Sequence, residues 1–485
     1  MTGHRINFLC PKSDADAALI RNNHLVPYGI KLRLKCKNRV SSRRGENPEW
    51  LKIEYMKRRC KNIDITGVAF IEKSVANFMA NRDPQERQRR DIVKLYEKYG
   101  NNHAVAIMLR DKFLKAKTTE TLNLLPVVTK PHYDTSSHKW REITVEDIER
   151  QLFEQIAFDA LKDAAKCVGE YQCTCLKNQK KKVIDRKTHQ QKIDPETGEP
   201  VFKMVGRGQV WAKDAAAGWM TDPKIRVIVQ ADIRKNYPSV SHRKLFRLLK
   251  RKIKNPDLIL LIHLLIDEFG PIGLPIGSVL SIILDAIYLS QIYHHMMEDC
   301  RRIRKHRNGT SERIRVVKHC LMWMDDIYLY CTSKKNAQIA KAELMRYAKT
   351  LDLEIKPSIK IIDKIDPPAH PHIHQAKQSY VDTVGYRVYP DHVTMRNKNY
   401  VSAKRNLKKG RKCMTLRLAR TLMAQRGTVI HSNSYRFRKK YHTKTVWRNA
   451  RKVIRNHDKG NVRLTTGCRE NNNTGWNDNC AIMPA

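Results

Sequence analysis

The stretch between positions 321 and 330 constrains the fold most, because it is apolar apart from two adjacent acids at its centre, Asp325 and Asp326. Successive strand residues point to opposite faces of a sheet, so a tight turn is the place where both carboxylates can serve one site. Carboxylates between buried strands are costly unless a cation neutralises them. The apolar flanks therefore favour a two-stranded hairpin with a functional turn over a solvated Asp-Asp turn.

A third acid, Asp232, ends another apolar segment that begins at Val227. Acids at strand ends can converge from distant parts of a chain, and converging carboxylates suit Mg²⁺, a hard ion that prefers oxygen ligands. Two such ions ~3.5–4 Å apart clamp an in-line displacement at phosphorus. One activates the attacking hydroxyl, and the other neutralises charge on a triphosphate.

The charge balance points to a polyanionic partner. The 485-residue chain carries 94 Lys and Arg against 48 Asp and Glu, a net charge of +46. Such an excess favours nucleic acid as the partner, with an anionic membrane surface as the alternative. No apolar run approaches the ~20 residues that span a bilayer. The sequence therefore predicts a soluble, cytoplasmic protein with no membrane partner.

Three segments together resemble one family, in that family's order. Residues 232–239, with Asp232 and Tyr237, resemble the first metal-binding motif of reverse transcriptases, and residues 324–326 resemble their aspartate hairpin. Residues 273–281 resemble the glycine-rich loop and helix beneath the template and the incoming nucleotide. The resemblance covers about residues 130–400. It implies an α+β right-hand polymerase with fingers, a palm built on an antiparallel sheet, and a mainly helical thumb.

The same resemblance implies a domain organisation. It predicts a helical N-terminal extension (1–120), fingers (121–224) with an inserted hairpin near 177–205, a palm that includes remaining fingers elements (225–395), a basic thumb (396–460) and a flexible tail (461–485). The thumb is predicted where the chain has twenty Lys and Arg and no acid between Arg396 and Asn456.

The resemblance also implies the catalytic ligands and partners. Asp232 and Asp325 would bind metal directly, Asp326 would be a supporting or alternate ligand, and the backbone carbonyl of Ile233 would assist. The cofactor would be two Mg²⁺ ions, with Mn²⁺ as the alternative. The partners would be an RNA template, a DNA primer and product, and dNTPs.

Six residues are predicted to bind the nucleotide. Tyr237 falls where the family places a bulky aromatic that clashes with a ribose 2′-hydroxyl, although a core tyrosine is the alternative. Gly277 allows close approach of the backbone. Many family members carry Gln at the position of Ile276, whereas an aliphatic residue there resembles the error-prone diversity-generating retroelement enzymes, so reduced fidelity is a hypothesis. The remaining three, by resemblance to basic motifs near the triphosphate, are Lys139, Arg141 and Lys360.

Another set is predicted to bind template or primer. Arg207 resembles a second fingers motif, and Gly385 with Tyr386 resembles the hairpin that grips the primer end. Cations of the thumb would follow duplex phosphates. Those singled out are Lys404, Arg405, Lys408 and Lys409.

The biological lineage is less sharply defined. Residues 384–396 resemble diversity-generating enzymes and bacterial lineages of uncertain group, several of which act in antiphage defence with a dedicated noncoding RNA. The N-terminal extension and the 177–205 insertion favour the latter, and could form an RNA-binding surface, a homo-oligomer interface or a surface for an accessory protein. Retron and group II intron enzymes, an inactive RNA-binding scaffold and an RNA-dependent RNA polymerase are the alternatives.

Overall fold

The computed structural model describes residues 59–458, with gaps at 83–85, 135–138, 174–177, 184–189, 192, 194–198, 207 and 365–378. Several sequence predictions fall outside these residues. They concern the first part of the N-terminal extension, the turn of the inserted hairpin, Arg207 and the tail 461–485.

The helices lie mainly in the N-terminal and C-terminal thirds and around a central sheet. They are α1 (Val68–Ala80), α2 (Arg90–Tyr99), α3 (Asn102–Thr119), α4 (Ile148–Leu161), α5 (Gln209–Thr221), α6 (His242–Lys252), α7 (Pro256–Ile266), α8 (Val279–His294), α9 (Lys334–Thr350), α10 (Asn397–Lys412), α11 (Leu416–Ile430), α12 (Tyr435–Lys440) and α13 (Thr443–Asp458). Within the described part of the chain, none is both long and apolar enough to cross a bilayer.

The strands form small antiparallel sheets. They are β1 (Val128–Asp134), β2 (Lys139–Val145), β3 (Asn178–Lys182), β4 (Phe202–Gly206), β5 (Val227–Asp232), β6 (Arg301–Lys305), β7 (Ser311–Arg315), β8 (Val317–Trp323), β9 (Asp326–Cys331), β10 (Lys360–Asp363), β11 (Val381–Thr383), β12 (Tyr386–Val388) and β13 (Val393–Met395). Strands β3 and β4 pair where the sequence predicts an inserted hairpin.

The central sheet has the order β10-β5-β9-β8 and is buried on both faces. Alternate residues of β5 and β9, such as Val229 and Leu329, share a core with α8 and α9. The residues between them, such as Ile228 and Tyr330, pack with α5 and the β11–β13 sheet. Burial on both sides explains why β5 and β9 are continuous apolar runs rather than alternating ones. The predicted hairpin at 321–330 is confirmed as β8–β9.

Helix α8 lies beneath this sheet and is apolar on nearly all sides, as expected for a helix that is buried all round. The Ser278 side chain caps its first turn by accepting a hydrogen bond from the Ser281 N–H at 3.2 Å. The sequence predicts this helix to about Met297, and α8 ends at His294, followed by a π-helical turn (His295–Asp299).

The two ends of the described chain pack differently. Residues of α1–α4, including Ile71 and Leu152, belong to the same core as the central sheet. Helices α10–α13 enclose a separate core that includes Leu407 and Trp447. The predicted mixture of helices and antiparallel sheets, an α+β fold, is confirmed.

Candidate active site

The three predicted acids meet at one end of the central sheet. Asp232, the last residue of β5, pairs directly with Asp326, the first residue of β9. The Ile233 N–H donates to the Asp325 carbonyl oxygen at 3.2 Å, so the β8–β9 turn is fixed to the end of β5. Met324 takes a positive φ of 53° in that turn. The structure thus brings together the carboxylates that are 93 residues apart in sequence at positions 232 and 325.

Burial and neighbouring negative charge raise the pKa of two of these carboxylates, Asp325 and Asp326. Burial, and then the Asp232 charge, raise the pKa of Asp325 above its ordinary value. Burial, and then Asp325 and Asp232, raise the pKa of Asp326 to about 6. Nearby cations oppose the shift: Lys356 acts on both groups, Arg141 on Asp325 and Arg396 on Asp326. Negative charge is therefore concentrated where added positive charge is stabilising.

Lys356 is the cation closest to Asp232. The side-chain Nζ of Lys356 lies 2.5 Å from Asp232 Oδ2, and the backbone N–H of Lys356 donates to the Asp232 carbonyl oxygen at 2.9 Å. An antiparallel bridge between Ile233 and Ile355 places it there. Lys360, the lysine singled out from the sequence, is exposed at the start of β10, opposite Gln230.

The donor set fits divalent cations. Asp232 Oδ1 is buried and has no hydrogen-bond partner among the described residues, so it is free to accept a metal ion. The other donors are carboxylate oxygens, the ligands that Mg²⁺ prefers. Within the described ranges, no three acidic, histidine or cysteine side chains converge tightly enough to hold one ion together. The Lys356 ammonium supplies the positive charge that Asp232 contacts.

Tyr237 lies beside the acids, on a helical turn (Asn236–Ser239). Burial, and then the charges of Asp285 and Asp325, raise the pKa of its phenol. Asn236 Nδ2 donates to Asp285 Oδ1 at 2.8 Å. Burial raises the pKa of Asp285 to about 7. Sequence analysis missed Asp285, although a lone acid in the apolar segment 279–293 is a usable signal, since buried acids are rare unless paired.

The glycine-rich loop supports the β1–β2 hairpin, on which the predicted fingers cations lie. Gly277 has a φ of +112°, and a Cβ there would lie 3.3 Å from both Ile143 Cγ2 and the Thr144 carbonyl oxygen. The Thr144 N–H donates to the Ile276 carbonyl oxygen at 2.9 Å. This contact fixes the strand that carries Lys139 and Arg141 close to the acids.

The two fingers cations differ in their contacts. Arg141 is half-exposed, and its Nε donates to Asp134 Oδ2 at 3.1 Å. The Arg141 charge partly opposes the increase in the pKa of Asp325. Lys139 is exposed near the end of the hairpin.

The predicted primer hairpin is β11–β12, and it connects the sheet to α10. Val384 and Gly385 in its turn both have positive φ, 42° and 85°, as a tight two-residue turn requires. The Gly385 carbonyl oxygen accepts from the Arg396 N–H at 3.0 Å and from Asn399 Nδ2 at 3.1 Å. Tyr386 is buried beneath α5, so its ring packs in the core, whereas Val384 and Gly385 in the turn are half-buried.

Arg396 is a second residue that sequence analysis missed as a site residue. Its Nε donates to Asp382 Oδ1 at 2.6 Å. The Asp382 carbonyl oxygen accepts from Gln230 Nε2 at 3.3 Å and from the Tyr328 hydroxyl at 3.0 Å. Arg396 thus joins the start of α10 to the sheet strands that end in the acids.

The predicted thumb cations lie on the solvent side of α10. Ala403, Leu407 and Gly410 of this helix are buried. Arg405, Lys408 and Lys409 are exposed and Lys404 is half-buried. The helix therefore presents a continuous row of positive charge to solvent.

Acids at neighbouring strand ends of an antiparallel sheet, with Tyr237 and Arg141 beside them, form the arrangement that the sequence predicts for a template-directed nucleotidyl transferase. Residues 133–361 match the family described as reverse transcriptase (RNA-dependent DNA polymerase). The chain therefore contains a reverse transcriptase domain and is an RNA-directed DNA polymerase, a nucleotidyltransferase, whose domain implies a right-hand polymerase fold. Reverse transcriptases generally use divalent metal ions, an RNA template, a DNA primer and dNTPs. No curated protein matches the chain in a sequence search.

Proposed function

We propose that the chain extends a DNA primer on an RNA template by two-metal nucleotidyl transfer, with Asp232, Asp325 and Asp326 as the metal ligands. The observation that carries the proposal is the cross-strand pair of Asp232 and Asp326 beside the Asp325 turn. The bound cations supply activation of the primer 3′-hydroxyl and neutralisation of the triphosphate. Burial and neighbouring negative charge raise the pKa of Asp325 and Asp326, so bound cations would stabilise the charged forms of both carboxylates.

The neighbouring residues orient the Asp232 carboxylate, the incoming nucleotide and the primer. Lys356 positions the Asp232 carboxylate and carries positive charge beside the phosphates. Arg141, near Asp325, neutralises charge on the incoming triphosphate. Ile233 contributes its carbonyl oxygen, and Gly277 allows the nucleotide to approach the loop backbone. The turn at Gly385 supports the primer end, while the exposed cations of α10 hold duplex phosphates.

Primer extension tests this function. Purified full-length chain with an RNA template, a DNA primer, dNTPs and Mg²⁺ is expected to lengthen the primer, and EDTA is expected to stop the reaction. A chain that binds the primer–template yet adds no nucleotide under Mg²⁺ or Mn²⁺ would instead be an RNA-binding scaffold. Equal use of NTPs and dNTPs would favour an RNA polymerase.

Tyr237→Ala is expected to relax sugar selection. Removing the ring removes the clash with a 2′-hydroxyl, so the preference for dCTP over CTP should fall by roughly 10²-fold, a difference of about 3 kcal/mol. Single-nucleotide incorporation with each substrate measures it. Tyr237→Phe, which keeps the ring, is the matched control and should retain the preference. If Tyr237→Ala lowers the melting temperature and leaves the preference unchanged, Tyr237 is a core residue.

We further propose that the template is part of a dedicated noncoding RNA and that the enzyme serves antiphage defence. The support is the resemblance of residues 384–396 to such lineages, together with the large cationic excess and the N-terminal extension. Sequencing the RNA that copurifies with the chain should give one dominant species. Cells that express the wild-type chain with its neighbouring genes should form fewer phage plaques than cells with Asp325→Asn. A heterogeneous RNA pool and equal plaque counts would contradict this role.

A diversity-generating role is the second candidate, and Ile276 favours it. The Ile276 backbone is fixed by Thr144, so its aliphatic side chain occupies a defined place in the loop. Ile276→Gln is expected to reduce misincorporation about fivefold, the factor that one hydrogen bond of about 1 kcal/mol gives. Sequencing of extension products measures the error rate. Unchanged error rates would leave Ile276 without a role in fidelity.

A further inference from the structure

The β6–β7 hairpin is a strongly basic element that the polymerase reaction does not use. It lies between the π-helical turn after α8 and the start of β8, and its turn is closed by the His306 N–H, which donates to the Thr310 carbonyl oxygen at 2.8 Å. Residues 301–318 contain eight Lys and Arg but a single acid, Glu312. Sequence analysis did not single it out.

Strand alternation separates the charges of the hairpin onto two faces. The inner face carries Arg302, which donates to Asn336 Oδ1 at 2.8 Å, and the half-buried Ile314. Glu312, directly opposite Arg304, also lies on that face. The acid of the hairpin is therefore turned away from the outer face. The outer face consists of Arg301, Ile303, Lys305, Ser311, Arg313 and Arg315.

The outer face brings like charges together, although Arg301 Nε also donates to the Glu298 carbonyl oxygen at 2.9 Å. Arg301 lies directly opposite Arg315, and like charges directly opposite in an antiparallel pair are destabilising. All ten paired residues of the hairpin are described, and none of those on the outer face is acidic. Ile303, between these cations, is 62% exposed. A bound polyanion relieves the repulsion between Arg301 and Arg315, since it brings negative charge to both.

The location separates this face from the catalytic cleft. The hairpin leads into the first residue of β8, whereas the acids lie beyond the last residue of β8. Seven strand residues at ~3.3 Å each put the hairpin roughly 20 Å from the acids along the sheet. A nucleic acid bound there leaves the cleft open to a primer–template.

We propose that the outer face of the β6–β7 hairpin binds the backbone of double-stranded RNA, outside the polymerase cleft. Residues 301–318 contain no Phe, Tyr or Trp, the large aromatic rings of single-strand stacking platforms, which favours a duplex over unpaired bases as the ligand. The phosphates that border the shallow minor groove of A-form RNA are complementary to the exposed cations that flank Ile303. This inference rests on one part of the proposed function, namely that the protein binds an RNA that contains the template.

The test uses a duplex that cannot serve as a primer–template. The probe is a 24-base-pair RNA duplex closed by a loop at each end, and its binding to full-length chain is measured at several KCl concentrations. The variant is Arg301→Gln with Arg313→Gln and Arg315→Gln. The matched control removes three exposed cations from one face of α6: Arg243→Gln, Arg247→Gln and Lys250→Gln.

The hairpin variant is expected to bind the closed duplex at least tenfold more weakly, and the slope of log Kd against log salt should fall by about 2–3. The α6 variant, with the same net charge, should change far less. Single-stranded RNA should be affected less than the duplex. Extension of a short primer–template should stay at the wild-type rate, so failure of the proposed catalysis would appear separately, as an inactive wild type.

Three outcomes would overturn the inference. They are unchanged duplex affinity in the hairpin variant, an equal loss in both variants, and a loss that is as large for single-stranded RNA. The melting temperature is a further check. Arg301 Nε donates to the Glu298 carbonyl oxygen at 2.9 Å, so a lower melting temperature of the hairpin variant would indicate a structural role for this arginine, whereas an unchanged one supports a surface role.

Discussion

Asp325→Asn is expected to lower the rate of primer extension by roughly 10³-fold, the loss that corresponds to about 4 kcal/mol of transition-state stabilisation. The amide keeps the size and the turn geometry of the carboxylate but cannot neutralise a divalent cation. Burial and the charge of Asp232 already oppose ionisation at this position. In EDTA, which removes bound metal, the Asp325→Asn variant should therefore have a melting temperature equal to or higher than that of the wild type. Single-turnover extension and thermal melting measure the two effects.

Asp352→Asn is the matched control for this experiment. Asp352 also takes a positive φ, 59°, which Asn tolerates, and its half-exposed side chain pairs with Lys244 at 2.6 Å on the surface. We expect wild-type extension rates from it. Near-normal extension by Asp325→Asn would remove Asp325 from the proposed metal ligands. A lower melting temperature together with lost extension would indicate a structural role.

Gly169→Ala is expected to give the largest loss of stability of any single methyl addition to a described glycine. A Cβ at Gly169 would lie 2.1 Å from Cδ1 of Tyr293, which is buried. The ring cannot move freely, because the Tyr171 N–H donates to its hydroxyl at 3.2 Å. Overpacking of this kind costs about 3 kcal/mol of the free energy of unfolding.

The same change should reduce catalysis. The Cys173 N–H donates to the Met322 carbonyl oxygen at 2.7 Å, and the Met322 N–H donates to the Tyr171 carbonyl oxygen at 3.0 Å. A displaced 169–173 segment therefore disturbs β8 next to the catalytic turn. Denaturant unfolding and primer extension measure the two losses.

Two further variants separate overpacking at Gly169 from a general cost of losing glycine. Gly218→Ala lies in α5 with no atom within 4 Å of the added Cβ, and should be neutral or slightly stabilising. The double variant Gly169→Ala with Tyr293→Leu should lose less stability than the sum of its single changes, because the smaller side chain makes room. Strict additivity would contradict the proposed clash.

The sequence predicts those features that are encoded locally. The apolar flanks of Asp325 and Asp326 predict the β8–β9 hairpin, and the run that ends at Asp232 predicts β5. Local pattern suffices there because strand burial imposes a continuous apolar run. The motif order predicts a reverse transcriptase, and the match over residues 133–361 confirms that class.

Contacts that depend on distant pairing could not be predicted in this way. Lys356 reaches Asp232 only because Ile355 bridges Ile233, and nothing in residues 351–360 distinguishes Lys356 from Lys360 as the closer cation. In the sequence Arg396 does not differ from the many other cations after it, and only the structure shows that it donates to Asp382. The metal, nucleotide and primer roles of the predicted residues stay predictions.

The hydrogen bonds to Gly385 and Asp382 connect Arg396, the residue before α10, to the sheet strands that end in the acids. Arg396 donates to both and also contributes positive charge at Asp326. If α10 tilted and withdrew this guanidinium, the carboxylates would bind the proposed cations more strongly, and cation binding would favour that tilt by the same factor. We therefore expect the proposed duplex binding by α10 and the proposed metal binding by the acids to be thermodynamically linked through the Arg396 side chain.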